Sequence, residues 1–428
     1  MSDNSKLNCN FCGKNRDSVE KLIAGPNVYI CNECITLSYK IVIDDIKSDS
    51  DTDEDFNLPT PSQIKSFLDE YIVGHEEAKE MLSVSSYNHY KRIYNTGTDV
   101  EIEKSNVLLI GPTGSGKTLF AKTLSKILHV PFAIADATTL TEAGYVGEDV
   151  ESVLDRLLVM ADYDVEKAQH GIVYIDEIDK KARRSESNTS TRDVSGEGVQ
   201  QALLRLIEGT TVKVRINSSG RRNSDSDFVE FDTSNVLFLV GGAFVGIEKG
   251  IERRIKKSNS IGFGATILDQ QDKSQIFKLV QHEDLTDYGL IPELMGRLPI
   301  IGVLDRLTET QLTHILTSVK NNVLSQAQEL LKMDNIELEF SLDYVKTASS
   351  MAIKQKLGAR GLKSVVDRSL INIMYRAPDL QKSGVTKIVF NKYPLTKDDY
   401  PVIIYQDGTS KTDPNYKLYR GNNETKVQ

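Results

Sequence analysis

The sequence has no apolar run long enough to span a lipid bilayer. Its longest apolar stretch, residues 236–247, covers about twelve residues and includes Gly241 and Gly242, whereas a transmembrane helix needs about twenty. Residues 1–6 form no apolar signal region. We therefore expect no membrane partner and a cytoplasmic location.

The sequence also lacks the basic excess of a nucleic-acid-binding protein. Its 428 residues include 52 basic and 61 acidic side chains, a net charge of −9, which argues against a broad phosphate-neutralising surface. No Ser/His/Asp or metalloprotease motif is visible, so peptide cleavage is not predicted. The length and the 39% apolar content predict a globular protein of two or three domains with no nucleic-acid partner.

Cysteine occurs only within the first 34 residues, as two Cys-x₂-Cys pairs separated by eighteen residues. Each pair can direct two thiolates at one ion, and two pairs complete a tetrahedral zinc site with no open position for catalysis. Two disulfides are the alternative, but nothing else in the sequence indicates an oxidising compartment. The predicted Zn²⁺ ligands are Cys9, Cys12, Cys31 and Cys34.

The predicted zinc module, residues 1–47, is too small to bury its apolar side chains, so zinc should supply much of its folding energy. We expect it to self-associate or to dock substrates and adaptors. Residues 44–55 contain seven acids and one lysine, which predicts a flexible linker over residues 48–62. A helix is then predicted near Ile64, with Ser62 as its N-cap.

A glycine-rich loop, Gly-Pro-Thr-Gly-Ser-Gly-Lys-Thr at residues 111–118, follows the apolar run 107–110. Its backbone N–H groups can surround a β-phosphate, and the positive N-terminus of the next helix points at the same anion. Lys117 can reach the β- and γ-phosphates, and the Thr118 hydroxyl can coordinate Mg²⁺. The predicted nucleotide ligands here are Gly111, Pro112, Thr113, Gly114, Ser115, Gly116, Lys117, Thr118 and Leu119.

An acidic pair ends a second apolar run, residues 172–175. Asp176 is the candidate for the carboxylate that shares Mg²⁺ with Thr118. Glu177 follows directly and is the candidate that polarises the attacking water. Together with the loop, this pair predicts a nucleotide hydrolase.

Strands and helices alternate from residue 106 to residue 240, which predicts an α/β fold with a parallel sheet covered on both faces. The predicted domains are a large nucleotide-binding domain, residues 63–305, and a smaller, mainly helical domain, residues 306–428. No internal repeat is visible. Within this region the predicted strands are 106–110, 131–135, 172–176 and 235–240, and the predicted helices are 117–128, 149–161 and 197–208. In the smaller domain we predict amphipathic helices at 311–331 and 341–356, and weak strands near 386–390 and 401–404.

The motifs together resemble the ClpX family of AAA+ unfoldases, from about residue 7 to about residue 405. The phosphate loop alone is common, whereas its combination with the Cys₄ module is specific. Further matching motifs are Gly-Tyr-Val-Gly at 144–147, Ile-Asp-Glu-Ile-Asp at 175–179, Gly-Phe-Gly-Ala at 262–265, Gly-Arg-Leu-Pro at 296–299 and Gly-Ala-Arg-Gly-Leu-Lys at 358–363.

The resemblance implies a homohexameric ring with ATP bound between neighbouring subunits. Arg297 matches the arginine finger, which a subunit supplies to its neighbour's nucleotide. Arg360 matches the sensor arginine that the small domain lays over the nucleotide of its own subunit. Ile72 and Val73 match the adenine pocket, together with the helical domain near Leu316.

The resemblance also implies loops that act on proteins. Tyr145 and Val146 match a pore loop that grips substrates, and Arg221 and Arg222 match a second pore loop. Asn223 stands where that second loop commonly has a histidine, so the match for tag recognition covers Arg221 and Arg222 only. A tripeptide of Ile261, Gly262 and Phe263 matches the segment that docks on the ClpP peptidase ring.

We interpret the chain as an ATP-driven unfoldase that passes tagged proteins into a ClpP-like chamber. The cofactors implied are ATP, Mg²⁺ and Zn²⁺. A zinc-bearing DNA motor or clamp-loader-type switch is the alternative from another class, and the acidic net charge argues against it. An HslU-like subunit is the alternative within the unfoldases, but such proteins lack an N-terminal zinc module.

Overall fold

The computed structural model describes residues 7–26, 28–39, 58–95, 100, 102–141, 147–183, 196–215, 228–259, 276–355 and 357–419. The chain divides into two compact units, Met1–Leu58 and Pro59–Gln428. In the first unit, strands Leu22–Gly25 and Val28–Cys31 pair antiparallel, and helical residues 32–39 follow directly. Both cysteine pairs therefore lie close to one short hairpin.

A five-stranded parallel sheet forms the centre of the second unit, as the alternating pattern predicts. Its order is Ile300–Val303, Val107–Ile110, Leu237–Gly242, Ile172–Asp176 and Phe132–Asp136, and every neighbouring pair is parallel. The four predicted strands agree with the structure within two residues, and strand Ile300–Val303 was not predicted. Because the strands run in one direction, the phosphate loop and Asp176 meet at the same edge of the sheet.

The first helix of this unit, Pro61–Tyr71, has Thr60 as its N-cap, so the prediction of Ser62 was wrong. Thr60 and Gln63 bond reciprocally to each other's backbone and close a capping box. Pro61 then occupies the first helical position, where its missing N–H costs nothing. Helix Glu76–Tyr94 follows.

Helices of the large domain agree with the prediction where their apolar face is long. Lys117–Ile127, Ser152–Met160 and Glu197–Glu208 occupy the three predicted positions. A hairpin of Thr211–Arg215 with Phe228–Asp232, and a parallel pair of Leu140–Thr141 with Glu148–Asp149, were not predicted. The part of this domain that the structure describes also contains helices Val165–Gln169, Glu248–Asn259, His282–Tyr288 and Pro292–Gly296, with 3₁₀ turns at Ala137–Thr139 and Ile178–Lys181.

The C-terminal part is mainly helical and also contains a four-stranded sheet. The predicted helix 311–331 is two helices, Glu309–Thr317 and Val323–Met333, because Asn322 caps the second one by accepting from the N–H of Ser325. Helices Leu342–Lys354 and Ala359–Lys382 follow. The sheet order is Glu337–Phe340, Val385–Phe390, Val402–Tyr405 and Ser410–Thr412, of which the two middle strands were predicted.

Two hydrophobic cores stabilise the second unit. One is formed by buried residues between Leu108 and Leu298, and the other by buried residues between Leu312 and Tyr416. Among the described residues, no helix has the length and apolar content needed to cross a membrane.

Candidate nucleotide site and zinc module

A cavity of about 500 Å³ lies at the carboxyl edge of the central sheet and extends to the C-terminal helical region. It brings together the phosphate loop, the acidic pair and Arg360, which the sequence places far apart. A cavity of this size suits a ligand as large as a nucleotide. Its lining residues are Thr113, Gly114, Gly116, Lys117, Thr118, Leu119, Asp176, Glu177, Asp179, Lys180, Ala243, Val245, Ala359, Arg360 and Lys363.

Two glycines allow the phosphate loop to lie against the rest of the protein. A Cβ atom at Gly111 would come within 2.5 Å of the carbonyl oxygen of Leu304, and one at Gly114 within 2.2 Å of that of Leu357. Gly114 also has a φ of +80°, a conformation that side chains disfavour. The loop thus contacts both the residue that follows strand Ile300–Val303 and the residues that precede helix Ala359–Lys382.

Lys117 begins the helix after the loop and directs its ammonium into the loop. The Nζ donates hydrogen bonds to the carbonyl oxygens of Gly111, at 2.6 Å, and Pro112, at 3.2 Å. Burial lowers the pKa of Lys117, and the nearby Asp176 carboxylate acts in the opposite direction. Lys117 also lines the cavity, and a partly desolvated ammonium there can pair with an anionic ligand.

Thr118 and Asp176 form a pair of oxygen ligands at the cavity. The Thr118 hydroxyl donates to Asp176 Oδ2 at 3.1 Å, and both residues line the cavity. A hydroxyl and a carboxylate are ligands that Mg²⁺ prefers, and it takes few protein ligands when a phosphate supplies others. These residues fit the predicted cation.

Glu177 directly follows the strand that ends at Asp176 and turns the chain. Its φ is +58°, and its backbone N–H donates to Asp176 Oδ1 at 3.0 Å. Left-handed backbone at a non-glycine residue costs about 1 kcal/mol or more and is often found at functional sites. The turn leaves the Glu177 side chain exposed, at the cavity, where a water molecule could reach it.

Three further polar residues line the cavity and were not predicted as site residues. Asp179 is buried and accepts from the backbone N–H of Ala243 at 3.0 Å, while Lys180 and Lys363 add positive charge. Lys363 lies one helical turn after Arg360, so a helical reading of residues 358–363 would have placed both on one face. Asp179 belongs to the motif at 175–179, but nothing in the sequence indicated separately that its side chain lies at the cavity.

Arg297 lies outside the nucleotide cavity, in a separate cleft of about 290 Å³. Its Nε donates to Glu208 Oε1 at 2.9 Å, and its side chain is half exposed. Lys104 shares the cleft and donates to the carbonyl oxygens of Ile207 and Thr233. Burial, together with the charge of Arg92, lowers the pKa of Lys104 to about 7.

Ile72 and Val73 do not line the nucleotide cavity either. Ile72 is buried at the end of helix Pro61–Tyr71, and Val73 is half buried. The next residue, Gly74, lies against the helical region, because a Cβ atom there would come within 2.3 Å of the Gln311 side-chain nitrogen. Their part in an adenine pocket stays a prediction.

The four cysteines form one cluster in the first unit. Their sulfur atoms all lie within 4.8 Å of one another, and the Cys9–Cys34 and Cys12–Cys31 sulfur distances are 3.9 and 3.7 Å. A tetrahedron with zinc–sulfur bonds of about 2.3 Å has edges of about 3.8 Å. All four thiols are free, so the disulfide alternative is wrong and the residues fit Zn²⁺.

Backbone groups support the same cluster. The N–H of Cys31 donates to the sulfur of Cys9 at 3.3 Å, and the N–H of Cys34 to the sulfur of Cys31 at 3.4 Å. Apolar side chains around the module remain exposed, as predicted for a partner-binding unit, including Phe11, Ile23, Val28, Leu37 and Tyr39. This surface is available for association.

Seven predicted site residues lie outside the described residues. They are Tyr145, Val146, Arg221, Arg222, Ile261, Gly262 and Phe263. The residues that flank the first two segments are described. The short parallel pair Leu140–Thr141 with Glu148–Asp149 brackets 142–146, and the hairpin of Thr211–Arg215 with Phe228–Asp232 brackets 216–227.

Comparison with known proteins gives three matching families and a close relative. Residues 7–44 match the ClpX C4-type zinc finger, residues 102–301 the AAA domain (Cdc48 subfamily), and residues 307–385 the C-terminal D2-small domain of ClpB protein. The chain is 48% identical over 391 residues to the ATP-dependent Clp protease ATP-binding subunit ClpX of Treponema denticola, covering 90% of this chain and 93% of that protein.

Proposed function

The chain belongs to the ClpX family of AAA+ ATPases, and on that premise we propose that it unfolds tagged proteins as a hexameric ring and delivers them to a ClpP-like peptidase. As a member of this family it is an ATP-dependent Clp subunit and is not itself a peptidase. The proposal assigns residues 1–47 to a zinc-binding docking domain, 48–62 to a linker, and 63–305 and 306–428 to the two parts of the ATPase.

The observation that carries the proposal is the composition of the nucleotide cavity. It joins the phosphate loop and the acidic pair with Arg360 from the C-terminal helical region. A ligand in this cavity would contact both regions, so gain or loss of its γ-phosphate can change how they are arranged. That coupling is what an ATP-driven motor requires.

We assign the chemistry as follows. The loop amides and Lys117 hold the phosphates, and Thr118 and Asp176 hold the cation. When bound, Mg²⁺ neutralises charge on the β- and γ-phosphate oxygens. Glu177, exposed at the cavity, orients the attacking water and accepts its proton. Ile72 and Val73 contact the adenine.

Two arginines link hydrolysis to movement in this proposal. Arg360 lines the cavity of its own subunit and senses the γ-phosphate there. Arg297 lies in a different cleft of the same chain, which supports a role at the neighbour's nucleotide. Its partial exposure leaves the guanidinium accessible, and exchanging Glu208 for a phosphate would strengthen its ion pair.

The segments that contact proteins are proposed from the sequence. Tyr145 and Val146 grip the substrate in the pore, Arg221 and Arg222 contribute from the second loop, and Ile261, Gly262 and Phe263 dock on the peptidase. The described strands that flank the first two segments pair with each other, which supports the proposal that each segment starts and ends at one place on the domain. The exposed apolar side chains of the zinc module support docking of adaptors or of a second module.

The experiment that tests the function is a degradation assay with a folded tagged reporter, Mg²⁺-ATP and added ClpP. We expect loss of reporter fluorescence only when ATP, this chain and ClpP are all present. Deleting residues 261–263 should stop degradation while ATP hydrolysis continues. Tyr145→Ala should slow degradation far more than hydrolysis.

The same preparation distinguishes the alternative of a DNA motor. Salt-dependent DNA binding with DNA-stimulated ATP hydrolysis, and no effect on the folded reporter, would contradict the unfoldase proposal. A chain that stays monomeric with saturating Mg²⁺-ATP would contradict the ring.

A further inference from the structure

Tyr174 is a buried residue next to the proposed magnesium site. It lies two residues before Asp176 on strand Ile172–Asp176, so both side chains lie on the same face of the sheet. Its ring is fully buried, and its hydroxyl donates a hydrogen bond to Asp176 Oδ1 at 3.2 Å. The phenol therefore contacts the carboxylate that is proposed to hold the cation.

The neighbouring strand leaves space for this phenol. Tyr174 pairs with Leu239 on strand Leu237–Gly242, and Gly241 lies two residues further on. A Cβ atom at Gly241 would lie 2.1 Å from the Tyr174 hydroxyl oxygen and 2.8 Å from the ring carbon that bears it. Any side chain at this position would displace the hydroxyl from Asp176.

The hydrogen bonds of Asp176 are divided between its two oxygens. Oδ1 accepts from the Tyr174 hydroxyl and from the backbone N–H of Glu177, whereas Oδ2 accepts from Thr118. Two donors on Oδ1 fix the rotation of the carboxylate and keep Oδ2 on the side of Thr118. A phenol hydroxyl can donate a hydrogen bond, which a carboxylate accepts.

We propose that Tyr174 is a positioning residue for Mg²⁺, whose hydroxyl orients Asp176 so that Oδ2 faces Thr118 and the cation. Strand Leu237–Gly242 has no polar side chain at its carboxyl end. The hydroxyl of Tyr174, on the neighbouring strand, lies beside that end. The proposal rests on the proposed function in requiring a Mg²⁺-nucleotide at this site. Groups that orient a metal ligand usually change metal affinity when they are removed.

The test is the Mg²⁺ dependence of binding of a fluorescent, non-hydrolysable ATP analogue to the full chain. Tyr174→Phe keeps the ring and should raise the Mg²⁺ concentration for half-maximal binding about tenfold. Binding of the analogue in EDTA should not change, because the loop and Lys117 are untouched. ATP hydrolysis by the variant should recover at high Mg²⁺.

Tyr90→Phe is the matched control. Tyr90 is equally buried, and its hydroxyl donates to the carbonyl oxygen of His170 at 3.0 Å, away from the cavity lining. This variant should lose comparable stability with no change in Mg²⁺ dependence. An equal Mg²⁺ shift in both variants would overturn the proposal, because the effect would then be structural.

A second pair of variants tests the geometry. Gly241→Ala should raise the Mg²⁺ requirement by displacing the phenol, and adding Tyr174→Phe should raise it no further, because both changes remove one interaction. Additive effects would overturn the proposal.

If wild-type protein shows no Mg²⁺-dependent binding, the proposed function fails. If wild-type protein binds the analogue in a Mg²⁺-dependent way and Tyr174→Phe needs the same Mg²⁺ concentration, only the inference about Tyr174 fails.

Discussion

The backbone N–H of Ala359 donates a hydrogen bond of 3.1 Å to the carbonyl oxygen of Gly114. This bond joins the first turn of helix Ala359–Lys382 to the phosphate loop, with Arg360 as the next residue on the helix. The junction requires glycine on both sides, because Gly358 has a φ of +57° and a Cβ atom there would lie 2.8 Å from the Gly114 oxygen. Backbone contacts therefore hold the helical region to the loop and place Arg360 at the cavity.

We predict that Gly358→Ala weakens nucleotide binding about five- to tenfold, a coupling typical of linked sites. The added methyl group would separate the helix from the loop and move Arg360 away from the cavity. Titration with a fluorescent nucleotide measures the effect. Gly384→Ala is the control, because Gly384 has a φ of +83° with open space around its Cβ position. Both variants should lose stability, and equal binding by the two would contradict the coupling.

Glu177→Gln should leave nucleotide binding intact and reduce ATP turnover at least about a hundredfold, because the amide cannot accept a proton from water. Steady-state hydrolysis and nucleotide titration measure the two effects separately. Glu329→Gln, an exposed acid in the C-terminal region, should change neither. Substantial hydrolysis by the Glu177 variant would assign the water to another residue.

The proposed position of Arg297 at the neighbouring subunit predicts complementation. Arg297→Ala and Glu177→Gln should each abolish hydrolysis alone. In a random equal mixture about a quarter of the subunit junctions combine an intact glutamate with an intact arginine, so activity should reappear. A mixture that stays inactive, although its subunits co-assemble, would place Arg297 at its own nucleotide or outside catalysis.

Zinc removal should unfold the first unit and leave the ATPase folded. Cys31→Ser removes a buried ligand and leaves three sulfurs, which should release the ion and expose the backbone of residues 22–31. Hydrogen exchange of those residues and assay of released zinc measure this in the full chain. ATP hydrolysis should stay within about twofold, since the phosphate loop belongs to the other unit. Continued protection of residues 22–31 without zinc would contradict a structural role.

The sequence predicted best what short segments determine. Strand Ile172–Asp176 and helix Glu197–Glu208 have the predicted bounds, because a continuous apolar run and a strong amphipathic face each define one element. The break between helices Glu309–Thr317 and Val323–Met333 was missed, because apolar residues continue on both sides of a turn that Asn322 caps. The predicted N-cap, Ser62, was wrong by two residues, because Thr60 is also a residue type that suits an N-cap.

Long-range juxtapositions could not be derived from local patterns. The contact of Gly114 with Leu357 and the position of Arg360 in the cavity depend on how two cores pack. Family resemblance pointed to Arg360, and helical spacing from it could have found Lys363, whereas Asp179 and Tyr174 gave no separate signal. Tyr174 in particular reads as an ordinary strand residue until its hydroxyl is seen beside Asp176.

His89 makes the stability of the large domain depend on pH. It is buried on helix Glu76–Tyr94, and its Nε2 lies 3.0 Å from the carbonyl oxygen of Asn235. Burial lowers its pKa to about 3, while the Asn235 carbonyl opposes the shift and the positive charges of Arg92 and Lys104, with His170, add to it. The folded state therefore holds this imidazole neutral at pH values where the unfolded chain protonates it.

The sign of the effect follows from linkage. Well above pH 6.5, His89 is neutral in both the folded and the unfolded state. Below pH about 6.5 only the unfolded state protonates His89, so the free energy of unfolding decreases as the pH is lowered, down to about pH 3. Between pH 6.5 and 5 this site should cost about 1.5–2 kcal/mol. His89→Gln keeps a hydrogen-bond donor for the Asn235 carbonyl and cannot titrate. Between pH 6.5 and 5, the free energy of unfolding of this variant should therefore decrease less than that of wild type, by about 1.5–2 kcal/mol. Urea unfolding at both pH values measures the difference, and His314→Gln, at an exposed histidine, is the control. If the His89 variant loses as much stability as wild type on acidification, the imidazole is protonated equally in both states and the prediction is wrong.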